Sequence, residues 1–233
     1  MKQKSEKSVI GHIEELRRRL FVCIIVFVGI SLFAYPLSSR VIGMMKEDLL
    51  PGIQLVIVNP LEAVNVNVKM SLLIGFMLSI PALAYESWLF VGPALKKKER
   101  LLIAFSIMPL VILFLTGVVF CYKVLMPLTL EFMVGEAYPS AIPMLSLNET
   151  FSFVFFMLFA TGISFELPLA VIVLAKAGLV DYRMLSSARR YVILALFVIA
   201  AVVTPDPTFM SQTFVAVPLV ILYEISVQLS RFF

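Results

Sequence analysis

The sequence predicts an all-α integral membrane protein with six transmembrane helices. Three observations carry that expectation. Of its 233 residues, 61% are hydrophobic and only 15% charged, whereas soluble chains run near roughly 45–50% and 25%. Mean hydropathy is +1.02. The apolar residues gather into six runs, near 18–36, 68–92, 100–123, 150–177, 189–204 and 208–229, to be compared with the roughly 20 residues a helix needs to cross about 30 Å of hydrocarbon. The whole chain, 1–233, reads as one six-span domain.

The first element is a charged entry, residues 1–17, leading into the first span. In "HIEELRRRL" (12–20), Val9, Ile13, Leu16 and Leu20 share one helical face. Glu14 with Arg18, and Glu15 with Arg19, stand at i,i+4 spacing, where an exposed pair contributes about 0.5 kcal/mol or less. This stretch is either an interfacial helix with internal ion pairs or a carboxylate held at the membrane surface for a cationic ligand. The run beyond it ends in "SLFAYP", which lacks a small-x-small cleavage pattern, so it reads as a retained span rather than a signal peptide.

The loop 36–67 contains "LSSRVIGMMKEDL" at helical spacing and "NPLE" (59–62), in which Asn59 caps and Pro60 opens a helix. The second span closes on Tyr85, Trp88 and Phe90, which suit an interfacial aromatic belt; Glu86 beside them can snorkel. "PALKKKERLL" (93–102) sets Glu99 among four bases. The loop 124–149 ends in "SLNE", a capping box on Ser146 and Glu149. Short interfacial helices are expected in these two loops. The apolar stretches of the last two spans are short: Tyr191–Val203 is about 13 residues, or roughly 20 Å. "VTPDPTFMSQ" between them reads as a tight turn, with Asp206 capping and Pro207 at the first helical position.

Basic residues set the orientation. Of the nineteen, only Arg40, Lys46, Lys69 and Lys123 fall on the side opposite the termini, so both termini are expected to be cytoplasmic. The net charge of +4 does not point to nucleic acid, because the bases cluster beside apolar runs. His12 is the only histidine, which excludes a multi-histidine metal site. Cys23 and Cys121 stand alone in apolar runs and read as small core residues. No HExxH, GxSxG or phosphate-loop pattern occurs, and neither an enzyme nor a cofactor is expected.

Glu166 stands apart. It lies in "ATGISFELPLAVIVLAKAG" (160–178), where an acid costs at least about 2.5 kcal/mol at the bilayer centre. Gly162 and Ala170 keep its face narrow, and Pro168 removes an amide and frees a carbonyl. Such a group faces a polar cavity or partner, or is a protonated acid bonded within the fold.

"HIEELRRRL", "NPLEAVNVNVKMSLLIGFMLSIPALAYESWLFVGPALKKKERLL", "FELPLAV" and "ARRYVILALFVIAAVVTPDPTFMSQTFVAVPLVILYEIS" follow in this order. Together they resemble the TatC family, six-span subunits of the twin-arginine protein translocase, over nearly the whole chain. Thr204-Pro205-Asp206-Pro207 departs from the family's usual Thr-Pro-Pro-Asp. The resemblance implies a glove-like concave bundle in the inner membrane. It implies a receptor for the Arg-Arg motif of signal peptides on folded cargo, exported at the expense of the proton gradient. By it, Glu15 and Glu99, with Arg17, Phe90 and Val91, would bind the signal peptide. Thr204 and Gln212, by the fifth and sixth spans, would dock single-span TatA/TatB-type subunits in a multimeric complex, and Glu166 would face the concave side. Two rival readings are a transporter or channel with Glu166 as its ion site, and a bare scaffold with no preference for Arg-Arg over Lys-Lys.

Overall fold

The computed structural model describes residues 2–91, 97–135, 144–176, 178, 180–203 and 209–232. Eight α-helices occur among them. The first, α1 (Lys2–Leu49), is followed by a two-residue strand, β1 (Leu55–Val56), and by α2 (Leu61–Val91). Next come α3 (Lys97–Phe120), a π-helical turn (Cys121–Leu125) and α4 (Met126–Gly135). After β2 (Leu145–Ser146) the chain forms α5 (Leu147–Ser164), α6 (Leu167–Lys176), α7 (Tyr182–Val203) and α8 (Phe209–Leu229). Among the described residues six stretches are long and apolar enough to cross a membrane: Ile13–Leu49, Leu61–Phe90, Ile107–Phe132, Leu147–Lys176, Tyr182–Val202 and Gln212–Leu229. The chain is a multi-pass membrane protein.

Three details depart from the expected boundaries. The charged entry, the first span and "LSSRVIGMMKEDL" form one helix of 48 residues, roughly 72 Å at 1.5 Å per residue. Pro36 sits inside it, tolerated because intramembrane neighbours can take up a freed backbone group. The third span does not stop near 123; the π-helical turn carries it without a break into α4. The helical segments expected in the two loops are therefore continuations of spans. The fourth span is interrupted, with Phe165 and Glu166 lying between α5 and α6.

Local chemistry sets the ends. Pro51 and Gly52 (φ 78°) occupy the corner of a turn in which the Ile53 amide donates to Leu50 O at 3.2 Å; only a glycine takes that φ without cost. Asn59 Oδ1 accepts from the Leu61 amide at 3.0 Å, the expected cap, and Ser146 Oγ accepts from the Glu149 amide at 3.4 Å, the Ser146 half of the expected capping box. Asp181 caps α7 through the Met184 amide at 2.7 Å. The turn residues 204–208, with Asp206 and Pro207, lie outside the described residues.

Lipid is as apolar as a leucine side chain, so close packing and polar contacts hold such a bundle. α1 and α2 run antiparallel in strict step: Ser38 bonds Asn67 at 2.7 Å, Ser31 meets Gly75, the Phe27 and Phe76 rings stand 6.3 Å apart, and Arg19 meets Glu86. A Cβ on Gly75 would fall 2.0 Å from Ser31 Oγ and 2.7 Å from its Cα. The buried core gathers Met70, Phe114, Phe151, Met157 and Leu219. Several buried hydroxyls bond their own helix, as Ser31 does to Phe27 O and Thr129 to Leu125 O, at 2.7 and 2.8 Å.

The end of the bundle opposite the termini is tied by polar contacts. Lys69 Nζ donates to Asn148 Oδ1 (3.1 Å) and Ser152 Oγ (2.5 Å), and Tyr122 donates to Asp48 at 2.7 Å. β1 and β2 pair in parallel, Leu55 with Leu145 and Val56 with Ser146. At the termini end, Arg189 of α7 meets Glu224 of α8 at 3.0 Å, and Tyr223 donates to Leu185 O at 2.8 Å.

Candidate functional site

The antiparallel step of α1 and α2 brings three charged side chains together near the termini end. Arg19 donates from Nε (3.0 Å) and Nη2 (2.7 Å) to Glu15 Oε1, one turn back on α1, and from Nη1 to Glu86 Oε2 on α2 at 3.0 Å. A guanidinium is a planar fork, and here its prongs reach two carboxylates at once. The cleft around it has a volume of about 510 Å³ and is lined by Glu14, Glu15, Arg18, Arg19, Val22 and Glu86. Of the two i,i+4 pairs expected on α1, only Glu15–Arg19 is an ion pair among the described residues. On the opposite face of α1, Ile13, Leu16 and Leu20 are exposed, the apolar stripe that the spacing predicted.

Of the other expected peptide-binding residues, Arg17 is exposed, with its guanidinium 5.7 Å from the centre of the Phe21 ring. Phe90 is half-buried in the last turn of α2, one turn beyond Glu86. The side chains of Val91 and Glu99 lie outside the described residues, as does Thr204. Gln212 is half-buried in the first turn of α8. Among the described residues, Glu15 and Glu86 are thus brought together by the Arg19 guanidinium that both accept from. Sequence reading left Glu86 and Arg19 unconnected. Matching α1 against α2 as an antiparallel hairpin would have joined them.

Glu166 occupies the break in the fourth span. Two rings seated in glycine notches hold that break against α3. A Cβ on Gly117 would lie 2.8 Å from the Phe165 ring, and one on Gly162 would lie 2.7 Å from the Phe114 ring. The Glu166 amide donates to Ile163 O, a tightened turn, while its carbonyl accepts from Ala170 and starts α6. Its carboxylate oxygens are buried, and neither meets a donor at bonding geometry among the described residues. They line a cavity of about 510 Å³ with Phe76, Ile80, Trp88, Phe114 and Leu169. The Ser87 hydroxyl in that wall is spent on Leu83 O at 2.8 Å. The cavity is thus an apolar slot with one carboxyl group in its wall. Among the described residues no group of three or more His, Cys, Asp or Glu side chains could hold a metal.

Comparison with known proteins places these features in a lineage. Residues 11–218 match the family model described as TatC, Sec-independent protein translocase protein. The chain is 36% identical to the Sec-independent protein translocase protein TatC of Aquifex aeolicus, over 94% of this chain and 93% of that protein. It is 35% identical to TatCd of Bacillus subtilis, over 98% and 93%, and 31% identical to TatC of Escherichia coli K12, over 100% and 92%. A crystal structure described as the twin arginine translocase receptor TatC superposes with a TM-score of 0.87 at 34% identity, covering 95% of this chain and 98% of that one.

Proposed function

The chain belongs to the TatC family of Sec-independent protein translocase proteins, and from that premise we propose that it is the subunit that receives Arg-Arg signal peptides of folded cargo. The observation that carries this reading is the cleft in which Glu15 and Glu86 hold a guanidinium between them. A carboxylate pair meets a guanidinium fork with directed bonds that an ammonium cannot reproduce, which favours Arg-Arg over Lys-Lys. Glu99, in the first turn of α3, supplies the second acidic contact by family resemblance, with Arg17, Phe90 and Val91 completing the surface. Two charge-assisted bonds contribute roughly 3–6 kcal/mol, short of the 8.2 or so that micromolar binding needs. Apolar contact of the signal peptide with the membrane-embedded face supplies the remainder.

In this reading both termini are cytoplasmic and the spans form a concave, glove-like bundle in the inner membrane. TatA/TatB-type subunits dock at the turn of the fifth and sixth spans through Thr204 and Gln212, in a multimeric complex driven by the proton gradient. Glu166 offers its carboxyl group to a polar side chain of a partner helix. The test is binding of two peptides differing only in Arg-Arg or Lys-Lys to the purified protein. Glu15→Ala and Glu99→Ala are each expected to weaken the Arg-Arg peptide by about 1.5–3 kcal/mol, with little effect on the Lys-Lys peptide. Equal losses for both peptides would reduce the site to general electrostatics.

A further inference from the structure

Arg19 sits where a ligand arginine would sit. Its guanidinium takes one oxygen of Glu15 and one of Glu86, and the second oxygen of each carboxylate accepts no hydrogen bond from a described residue. The side chains of Arg19, Glu15 and Glu86 are 22%, 36% and 20% exposed, so water competes for all three and the ion pairs are weak. About three turns away α1 and α2 pack closely at Ser31 and Gly75. Exchange at the cleft asks for a rotation of the Arg19 side chain.

Geometry favours exchange over addition. With Arg19 in place, its fork already takes an oxygen of Glu15 and an oxygen of Glu86, so a second guanidinium cannot make the same bonds. With Arg19 turned out to solvent, the lining holds three carboxylates, Glu14, Glu15 and Glu86, against the single guanidinium of Arg18. We propose that Arg19 is an internal placeholder: it fills the arginine-binding cleft of the empty receptor and is displaced by the Arg-Arg ligand, for which Glu86 becomes a direct contact. The proposal rests on the receptor reading above. Its consequence is a raised threshold, since any ligand must outcompete Arg19 before it is held.

The experiment titrates the Arg-Arg and Lys-Lys peptides against the full chain in lipid nanodiscs. Arg19→Gln is expected to bind the Arg-Arg peptide about fivefold more tightly than the unaltered protein, because a weak, part-exposed ion pair favours the closed cleft by only that factor. Arg19→Lys, whose ammonium cannot bridge two carboxylates as a fork does, should fall between. Glu86→Gln added to Arg19→Gln should lose about tenfold or more. An Arg19→Gln protein of unchanged thermal stability that binds no more tightly than the unaltered one would make Arg19 a fixed part of the site and overturn the placeholder. If Arg19→Gln does not fold, Arg19→Lys binding more weakly than the unaltered protein overturns it equally. An Arg19→Gln/Glu86→Gln affinity equal to that of Arg19→Gln removes Glu86 from the ligand contacts. Equal binding of both peptides by the unaltered protein is a different result: it removes the receptor reading itself.

Discussion

At Glu166 a carboxyl group is buried in an apolar slot without a bonded donor among the described residues, which is costly unless water or a partner satisfies it. The break at Phe165–Glu166 also resembles the interrupted helices that line transporter sites, so the two readings of Glu166 must be separated by chemistry. Glu166→Gln keeps shape and hydrogen bonding. If the side chain recognises a partner, the Gln variant should retain most cargo transport in membrane vesicles and Glu166→Leu should retain little, with both variants equally stable to heat. A Gln variant as inactive as the Leu variant would mean that proton exchange is required and would favour the transporter-like reading. A Leu variant that transports normally would leave Glu166 a structural residue. The residue itself was legible in the sequence, because an acid inside an apolar run is visible without coordinates. The surrounding notches were not: Gly117 and Gly162 gave no local sign that they would seat Phe165 and Phe114, since those contacts join different spans.

Among the elements, the α1–α2 pair carries the cleft, and its closeness rests on Gly75. Gly75→Ala puts a methyl group against Ser31 backbone as well as its hydroxyl, so the helices must part. Overpacking of this kind costs about 1–3 kcal/mol, and the thermal midpoint in detergent should fall accordingly. Ser31→Gly should restore only part of the loss, because Ser31 Cα, at 2.7 Å, remains in the way. A Gly75→Ala protein as stable as the parent would show that the two helices have slack. Element boundaries were the least legible feature of the sequence. Hydropathy marks where lipid begins and ends, whereas α1 continues through polar residues at both ends of its apolar run, because helical hydrogen bonding does not depend on what surrounds the helix. The break in the fourth span was only half legible: Pro168 announced a missing amide, but the interruption falls just before it, at Phe165–Glu166.

For the whole molecule, we propose that the six spans bring both termini to one side and that this side, where the basic residues gather, is the cytoplasmic one. Single cysteines at Lys97 and Ser187 should react with a membrane-impermeant maleimide only from the inside, and one at Gly52 only from the outside; outside labelling at position 97 would overturn the topology. The β1–β2 pair adds a consequence in time. The two strands lie about 90 residues apart, which is roughly 5–20 s of synthesis at 5–20 residues per second. Throughout that interval the first hairpin of helices exists without the partner for its short strand, and Leu55 and Val56 present unpaired backbone of the kind that invites wrong pairing. A two-residue strand followed by the Asn59-Pro60 helix start offers little to mispair with. The brevity of β1 protects the nascent chain, and the end of the bundle that it closes is sealed only once the ribosome has passed Ser146.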